Sequence, residues 1–219
     1  MLNAGWPPYT GAPTHRRERK SAEKQMAVNV GSGIGRRASR WRIAAWATAG
    51  LLLLLPLVAM QFTDEVDWDV ADFAVFGAML FVAGSIYELA ARMTRNKAYR
   101  AAIGVALGAA FILVWLSLGV GLIGKDGDPA NLMYFAVLAV GSIGALIARL
   151  QPHGMARALF ATALAQALVA AITLIVGLGL PWSGPAEILL LNGFFIAMFA
   201  GSAWLFRRAA RGRPERGGA

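Results

Sequence analysis

Few residues of this chain could do chemistry in an apolar setting: Gln166, Asn192, Thr162 and Thr173 inside long apolar runs, and the pair Glu88 and Arg92 near the edge of another. Thr162 precedes Gln166 by four residues and Thr173 follows it by seven, so the three share one face of a helix. Asn192 lies more than a turn inside the start of the last apolar run. Amides and hydroxyls gathered in this way could coordinate a small polar or ionic solute along a path through the bundle. They serve equally as hydrogen bonds between helices, each worth about 1 kcal/mol or less in lipid, and packing is the preferred reading.

Glu88 stands four residues before Arg92, the favourable order for a helical ion pair worth a few tenths of a kcal/mol when solvated. A pair that lets both side chains reach the headgroups is preferred over a proton-carrying carboxylate. Asp64, Glu65, Asp67, Asp69 and Asp72 precede the same apolar run, and with Asp126 and Asp128 they could form an acidic mouth that concentrates cations. Asp72 could instead stabilise the positive amino end of its helix. These acids lack the spacing of a calcium loop, so no metal site is expected.

Other chemistries are excluded by what is missing. The chain has no cysteine, and its two histidines, His15 and His153, stand in no metal-ligand spacing. No serine has a histidine and carboxylate at a comparable depth, and neither a His-Glu-x-x-His stretch nor paired intramembrane aspartates occur. Gly31-Ser32-Gly33-Ile34-Gly35 lacks the preceding strand and following helix of a phosphate-cradling loop. We therefore expect no catalytic residues, no cofactor and no enzymatic activity.

The elements that must position these residues are read from hydropathy. Of 219 residues, 58% are hydrophobic, and a mean hydropathy of +0.56 is too apolar for a soluble domain of this size to cover with polar surface. Six apolar segments, Ile43–Phe62, Val70–Ala91, Ala101–Gly124, Leu132–Leu150, Met155–Leu180 and Pro185–Phe206, each approach the roughly 20 residues that carry a helix across about 30 Å of hydrocarbon. The expected fold is an all-α polytopic membrane bundle of six transmembrane helices. Short connections make sequential neighbours antiparallel, and Pro56 is expected to kink the first helix.

The net charge of +9 would suit nucleic acid, but the basic residues sit at the ends of apolar runs, so the bilayer and not nucleic acid is the expected partner. All of the 21 lysines and arginines except Lys125 fall in the amino tail, in the links 92–100 and 149–157, or in the carboxyl tail. The positive-inside rule then places both termini in the cytoplasm, with 63–69, 125–131 and 182–186 outside. Residues 1–42 and 207–219 read as basic cytoplasmic tails around a transmembrane domain at 43–206, the first too rich in Pro, Gly, Ser and charge to order itself. The first apolar run begins late for a signal peptide, and Met26 is an alternative start. Trp41, Trp68, Tyr99, Tyr134, Trp182 and Trp204 fall near span ends, where interfacial aromatics are expected.

A shift of 57 residues lays Gly84-Ser85-Ile86 on Gly141-Ser142-Ile143 and Arg92 on Arg149, and Gly201-Ser202 repeats the pair. Twice that shift lays Ala47-Thr48-Ala49 on Ala161-Thr162-Ala163. Three related hairpins are one explanation, and the abundance of Ala, Gly and Leu is the other. These glycine–serine pairs and Gly104-x-x-x-Gly108 would let helix backbones approach closely, within the bundle in preference to between copies.

The run Phe62-Thr63-Asp64-Glu65-Val66-Asp67-Trp68, with Tyr87-Glu88-Leu89-Ala90-Ala91-Arg92 and Asn131-Leu132-Met133-Tyr134, resembles a group of small bacterial inner-membrane proteins of unknown function, over about Trp41 to Arg211. The resemblance implies a bacterial cytoplasmic membrane and a multi-pass topology, and it brings no activity or site. The expected function is an accessory or structural membrane subunit, packed against another membrane protein or a second copy of itself. The alternative is a small-solute or cation transporter or channel using Gln166 and Asn192.

Overall fold

In the computed structural model, which describes residues 19, 20, 23, 24, 26, 42–63, 67–124, 127–180 and 182–211, every regular element among the described residues is helical. Six helices among the described residues are long and apolar enough to cross a membrane: α1 (Arg42–Ala59), α2 (Val70–Met93), α3 (Lys97–Gly119), α4 (Leu132–Ile147, entered through a 3-10 turn at Pro129–Asn131), α5 (Pro152–Val176) and α6 (Pro185–Arg211). On length and composition this is an all-α, multi-pass membrane protein, as its apolar runs predict. The expectations for Asp64, Glu65, Lys125, Asp126, Trp41, the glycine-rich stretch 31–35 and nearly all of both tails lie outside the described residues.

The chain divides into two compact units, Met1–Asp67 and Trp68–Ala219. In the first, α1 continues through Pro56, whose missing amide hydrogen leaves the Leu52 carbonyl without its usual donor. Thr48 Oγ1 donates to the Ala44 carbonyl at 2.9 Å, satisfying its hydroxyl inside its own helix.

The second unit holds α2 to α6. α5 packs against both α4 and α6, α6 also packs against α3, and α2 lies against α3. Aromatic edges join α2 to α3: the Phe76 ring lies 5.6 Å from Phe111 and 5.2 Å from Trp115, and Trp68 meets Phe73 and Phe76 edge-on at 5.4 Å each.

Helix ends follow local chemistry. Asp69 caps α2: its Oδ1 accepts from the Asp72 amide and Asp72 Oδ2 accepts from the Asp69 amide, both at 2.9 Å. Such reciprocal caps contribute about 1 kcal/mol. α3 begins four residues before the expected Ala101 because Asn96 Oδ1 accepts the amides of Ala98 and Tyr99, leaving Lys97 and Arg100 exposed on the first turn. It stops at Gly119, short of the expected Gly124. α5 ends at Gly177, whose left-handed φ of 72° few other residues adopt without strain. α6 runs on to Arg211, with Arg207 and Arg208 exposed and the Arg208 guanidinium 5.7 Å from the centre of the Trp204 ring.

Small residues bring α4 and α5 together. A Cβ on Gly141 would lie 2.9 Å from Thr162 Oγ1, one on Gly144 2.7 Å from the Ala158 Cβ, and one on Gly154 2.6 Å from the Ala148 Cβ. The three contacts climb one antiparallel seam, where missing side chains let backbones approach. Gly104-x-x-x-Gly108 behaves otherwise. A Cβ on Gly104 would make ordinary contact with Tyr87 at 3.5 Å, and Gly108 and Gly201 face open space. The repeated pairs also differ in setting, since Ser142 is exposed while Ser202 is buried and donates to the Ala102 carbonyl of α3 at 2.7 Å.

Both ends of this unit are tied. At the basic end, Asn96 Nδ2 donates to the Ala209 carbonyl at 3.2 Å, and Tyr99 Oη donates to the Leu150 carbonyl at 2.6 Å. The α4–α5 reversal there uses two left-handed non-glycine residues, Arg149 at φ 47° and Leu150 at φ 58°, a conformation that costs roughly 1–2 kcal/mol per residue. At the opposite end, Asn131 Oδ1 accepts from the amides of Leu122 and Ile123 at 2.8 and 3.0 Å, and its Nδ2 donates to the Ile123 carbonyl at 3.2 Å. Ser183 Oγ then accepts from the Gly124 amide at 3.1 Å, joining the loops before α4 and α6. Gly179, at φ 90°, permits this junction: a Cβ there would lie 2.9 Å from the Gly124 nitrogen.

Candidate functional site

Two of the four deep polar residues singled out in the sequence meet. Gln166 of α5 donates from Nε2 to Asn192 Oδ1 of α6 at 2.9 Å, and both side chains are fully buried. A third helix joins them, because Tyr134 of α4, also fully buried, donates its hydroxyl to the same Oδ1 at 3.2 Å. Asn192 Nδ2 turns back to the Ile188 carbonyl one turn earlier, at 2.9 Å. One carbonyl oxygen therefore accepts from two neighbouring helices while its own amide hydrogen is held by its helix. The arrangement fixes α4, α5 and α6 in rotation and in depth.

The geometry has one open valence. Gln166 Oε1 is buried and has no hydrogen-bond partner. An unpaired carbonyl in a low-dielectric interior is costly, on the order of 1–3 kcal/mol. A small donor or a cation could bind it, at a point where the adjacent Asn192 oxygen already carries two donors.

Thr162 and Thr173 are buried on the same face of α5 as Gln166, as their spacing predicts, but neither joins the node. Thr162 Oγ1 donates to the Ala158 carbonyl at 2.9 Å and Thr173 Oγ1 to that of Val169 at 2.8 Å. Each hydroxyl is satisfied four residues back in its own helix. Thr162 also forms the top contact of the α4–α5 seam.

Glu88 and Arg92 are brought together as an ion pair within α2, at the basic end, with the arginine side chain well exposed. Among the acids expected to form a mouth, Asp69 and Asp72 are engaged in the α2 cap, Asp128 Oδ1 caps the 3-10 turn by accepting from the Ala130 amide at 2.9 Å, and Asp67 is exposed. Among the described residues no group of three or more His, Cys, Asp and Glu side chains could hold a metal ion.

Reading the sequence missed Tyr134 and Tyr99. Both were expected at the membrane interface for lying near span ends; both are buried among the helices, at 0% and 7% exposure, with hydroxyls donating to Asn192 and Leu150. The available signal was depth: Tyr134 enters α4 at the end of the bundle from which Asn192 enters α6. No protein-family model matches the chain, and neither does any curated protein or solved structure.

Proposed function

We propose that this protein is an accessory or structural subunit of a bacterial cytoplasmic membrane, packed against another membrane protein or a second copy of itself. The observation that carries the reading is that Gln166 and Tyr134 spend their donors on Asn192 across three helices of one bundle, with Gln166 Oε1 the one acceptor left open. The node's donors are directed at helices of the same bundle, and the neighbouring threonines bond their own backbones. The clefts at the basic end include none of these residues in their walls. A solute path needs polar groups free to exchange partners along its length, whereas a scaffold needs them paired. α2 supports the same reading, since Val75, Phe81, Val82, Ile86 and Leu89 all remain exposed on a helix with few buried residues. That surface suits lipid or an apolar neighbour. Native mass spectrometry of the protein extracted gently at its natural level tests the proposal. A stoichiometric membrane-protein partner or a defined homo-oligomer without solute is the expected result, and a monomer retaining a small solute would overturn it.

The second reading, transport of a small solute or cation, is favoured by one observation, the unpartnered Gln166 Oε1. Retention of a solute that is lost in Gln166→Leu would promote it. For orientation, we infer that both termini are cytoplasmic, because lysine and arginine concentrate at the end of the bundle formed by the 92–100 and 149–157 links and the end of α6. A reporter fused after Arg208 is expected to be active only in its cytoplasmic form. Periplasmic activity would reverse the assignment.

A further inference from the structure

The α4–α5 turn at the basic end opens sideways into a groove of about 490 Å³, whose floor is made by Gly144, Ala148, Gly154 and Ala158. The floor is shallow because these are the small residues of the seam. Around its rim stand Arg149, His153 and Arg157, all exposed. None of the three has an ion pair among the described residues, and Glu88, an acid at this end, is bonded to Arg92 of its own helix. The start of α5 adds to the positive potential: Pro152 occupies its first turn, and no side chain caps its leading amides. Above the rim the walls become apolar. Ile147 is 78% exposed on α4, and Leu164 and Leu168 continue the face of α5 that carries Arg157, at 57% and 61% exposure.

We propose that this groove binds an anionic glycerophospholipid, with the phosphodiester between Arg149, His153 and Arg157 and an acyl chain running along Ile147, Leu164 and Leu168. The charge is complementary, and it lies where the basic end of a membrane-spanning bundle meets the headgroups. A phosphodiester accepts hydrogen bonds from guanidinium groups, from imidazole and from helix-start amides alike. Free phosphate satisfies the rim alone and leaves the apolar walls without a counterpart. The general excess of basic residues that orients the chain requires no groove. The inference concerns these three side chains in one place, and it stands independently of the proposed accessory role.

The test is native mass spectrometry of the full chain in detergent, titrated with phosphatidylglycerol or phosphatidylcholine. Wild-type protein is expected to retain phosphatidylglycerol at least 10-fold more tightly, a comparison that requires no variant. The pair Arg149→Gln and Arg157→Gln should weaken retention about 10-fold, the corresponding lysine pair should restore most of it, and Arg207→Gln with Arg208→Gln should leave it within 2-fold. Equal retention of both lipids would overturn the proposal, as would equal losses from the two glutamine pairs or an unaffected groove pair. Displacement of bound lipid by millimolar inorganic phosphate would also overturn it, by showing a phosphate site with no lipid specificity.

Discussion

Replacing Asn192 by alanine is expected to destabilise the bundle by about 2–3 kcal/mol, measured as equilibrium unfolding in mixed micelles. Three effects contribute, and the first two overlap, so they do not add in full. Two interhelical hydrogen bonds disappear, each worth about 0.6–1 kcal/mol in lipid. Gln166 Nε2 and Tyr134 Oη are then left as buried donors with no acceptor, which adds desolvation cost. The lost side-chain volume leaves a small cavity among fully buried neighbours. Gln166→Leu should cost much less, under about 1 kcal/mol, because it removes the unpaired Oε1 together with the donor. The triple variant Asn192→Leu, Gln166→Leu and Tyr134→Phe should recover most of the loss, since no buried polar group of the node then lacks a partner. Additive losses across the three sites would show that the hydrogen bonds are incidental. A shared acceptor predicts strong non-additivity.

This node also marks where the sequence could and could not be read. Gln166 and Asn192 were legible as deep polar residues because hydropathy gives depth along a span, and an amide at depth stands out against Ala and Leu. Their meeting at 2.9 Å depends on how α5 and α6 rotate about their axes, which hydropathy does not encode where apolar residues cover every face. The partner of Tyr134 was hidden for the same reason: an aromatic near a span end can face lipid or the bundle, and only the neighbouring helix decides. The spans themselves were read within a few residues. The errors at their ends have local causes, since Asn96 captures two amides and starts α3 early, while Asn131 folds the stretch after Gly119 back onto itself. Both devices are single side-chain contacts to the backbone, invisible to a measure that averages over twenty residues.

Glycine spacing was the weaker guide, and the difference between two glycines of one motif class gives the second large prediction. Gly144→Val is expected to cost about 3 kcal/mol, read from the same unfolding equilibrium, while Gly108→Ala should be neutral or stabilising by up to about 1 kcal/mol through helix propensity. Both glycines belong to small-residue patterns, but a Cβ at 108 meets nothing within 4 Å, whereas at 144 it lies 2.7 Å from the Ala158 Cβ and 3.2 Å from its Cα. The obstacle includes backbone, so no side-chain rotation relieves it, and the two branches of valine force α4 away from α5. Separation also opens the contacts of Gly141 with Thr162 and of Ala148 with Gly154, because the three lie on one seam. The compensating pair Gly144→Ala with Ala158→Gly tests the cause. Moving the methyl across the seam removes the 2.7 Å clash and leaves the 3.2 Å contact, which a shift of a few tenths of an ångström accommodates. The pair should therefore recover most of the stability lost by Gly144→Ala alone. Recovery below one third would place the constraint on Gly144 in something other than its approach to Ala158, and would detach the seam from the argument that small residues set the spacing of these helices.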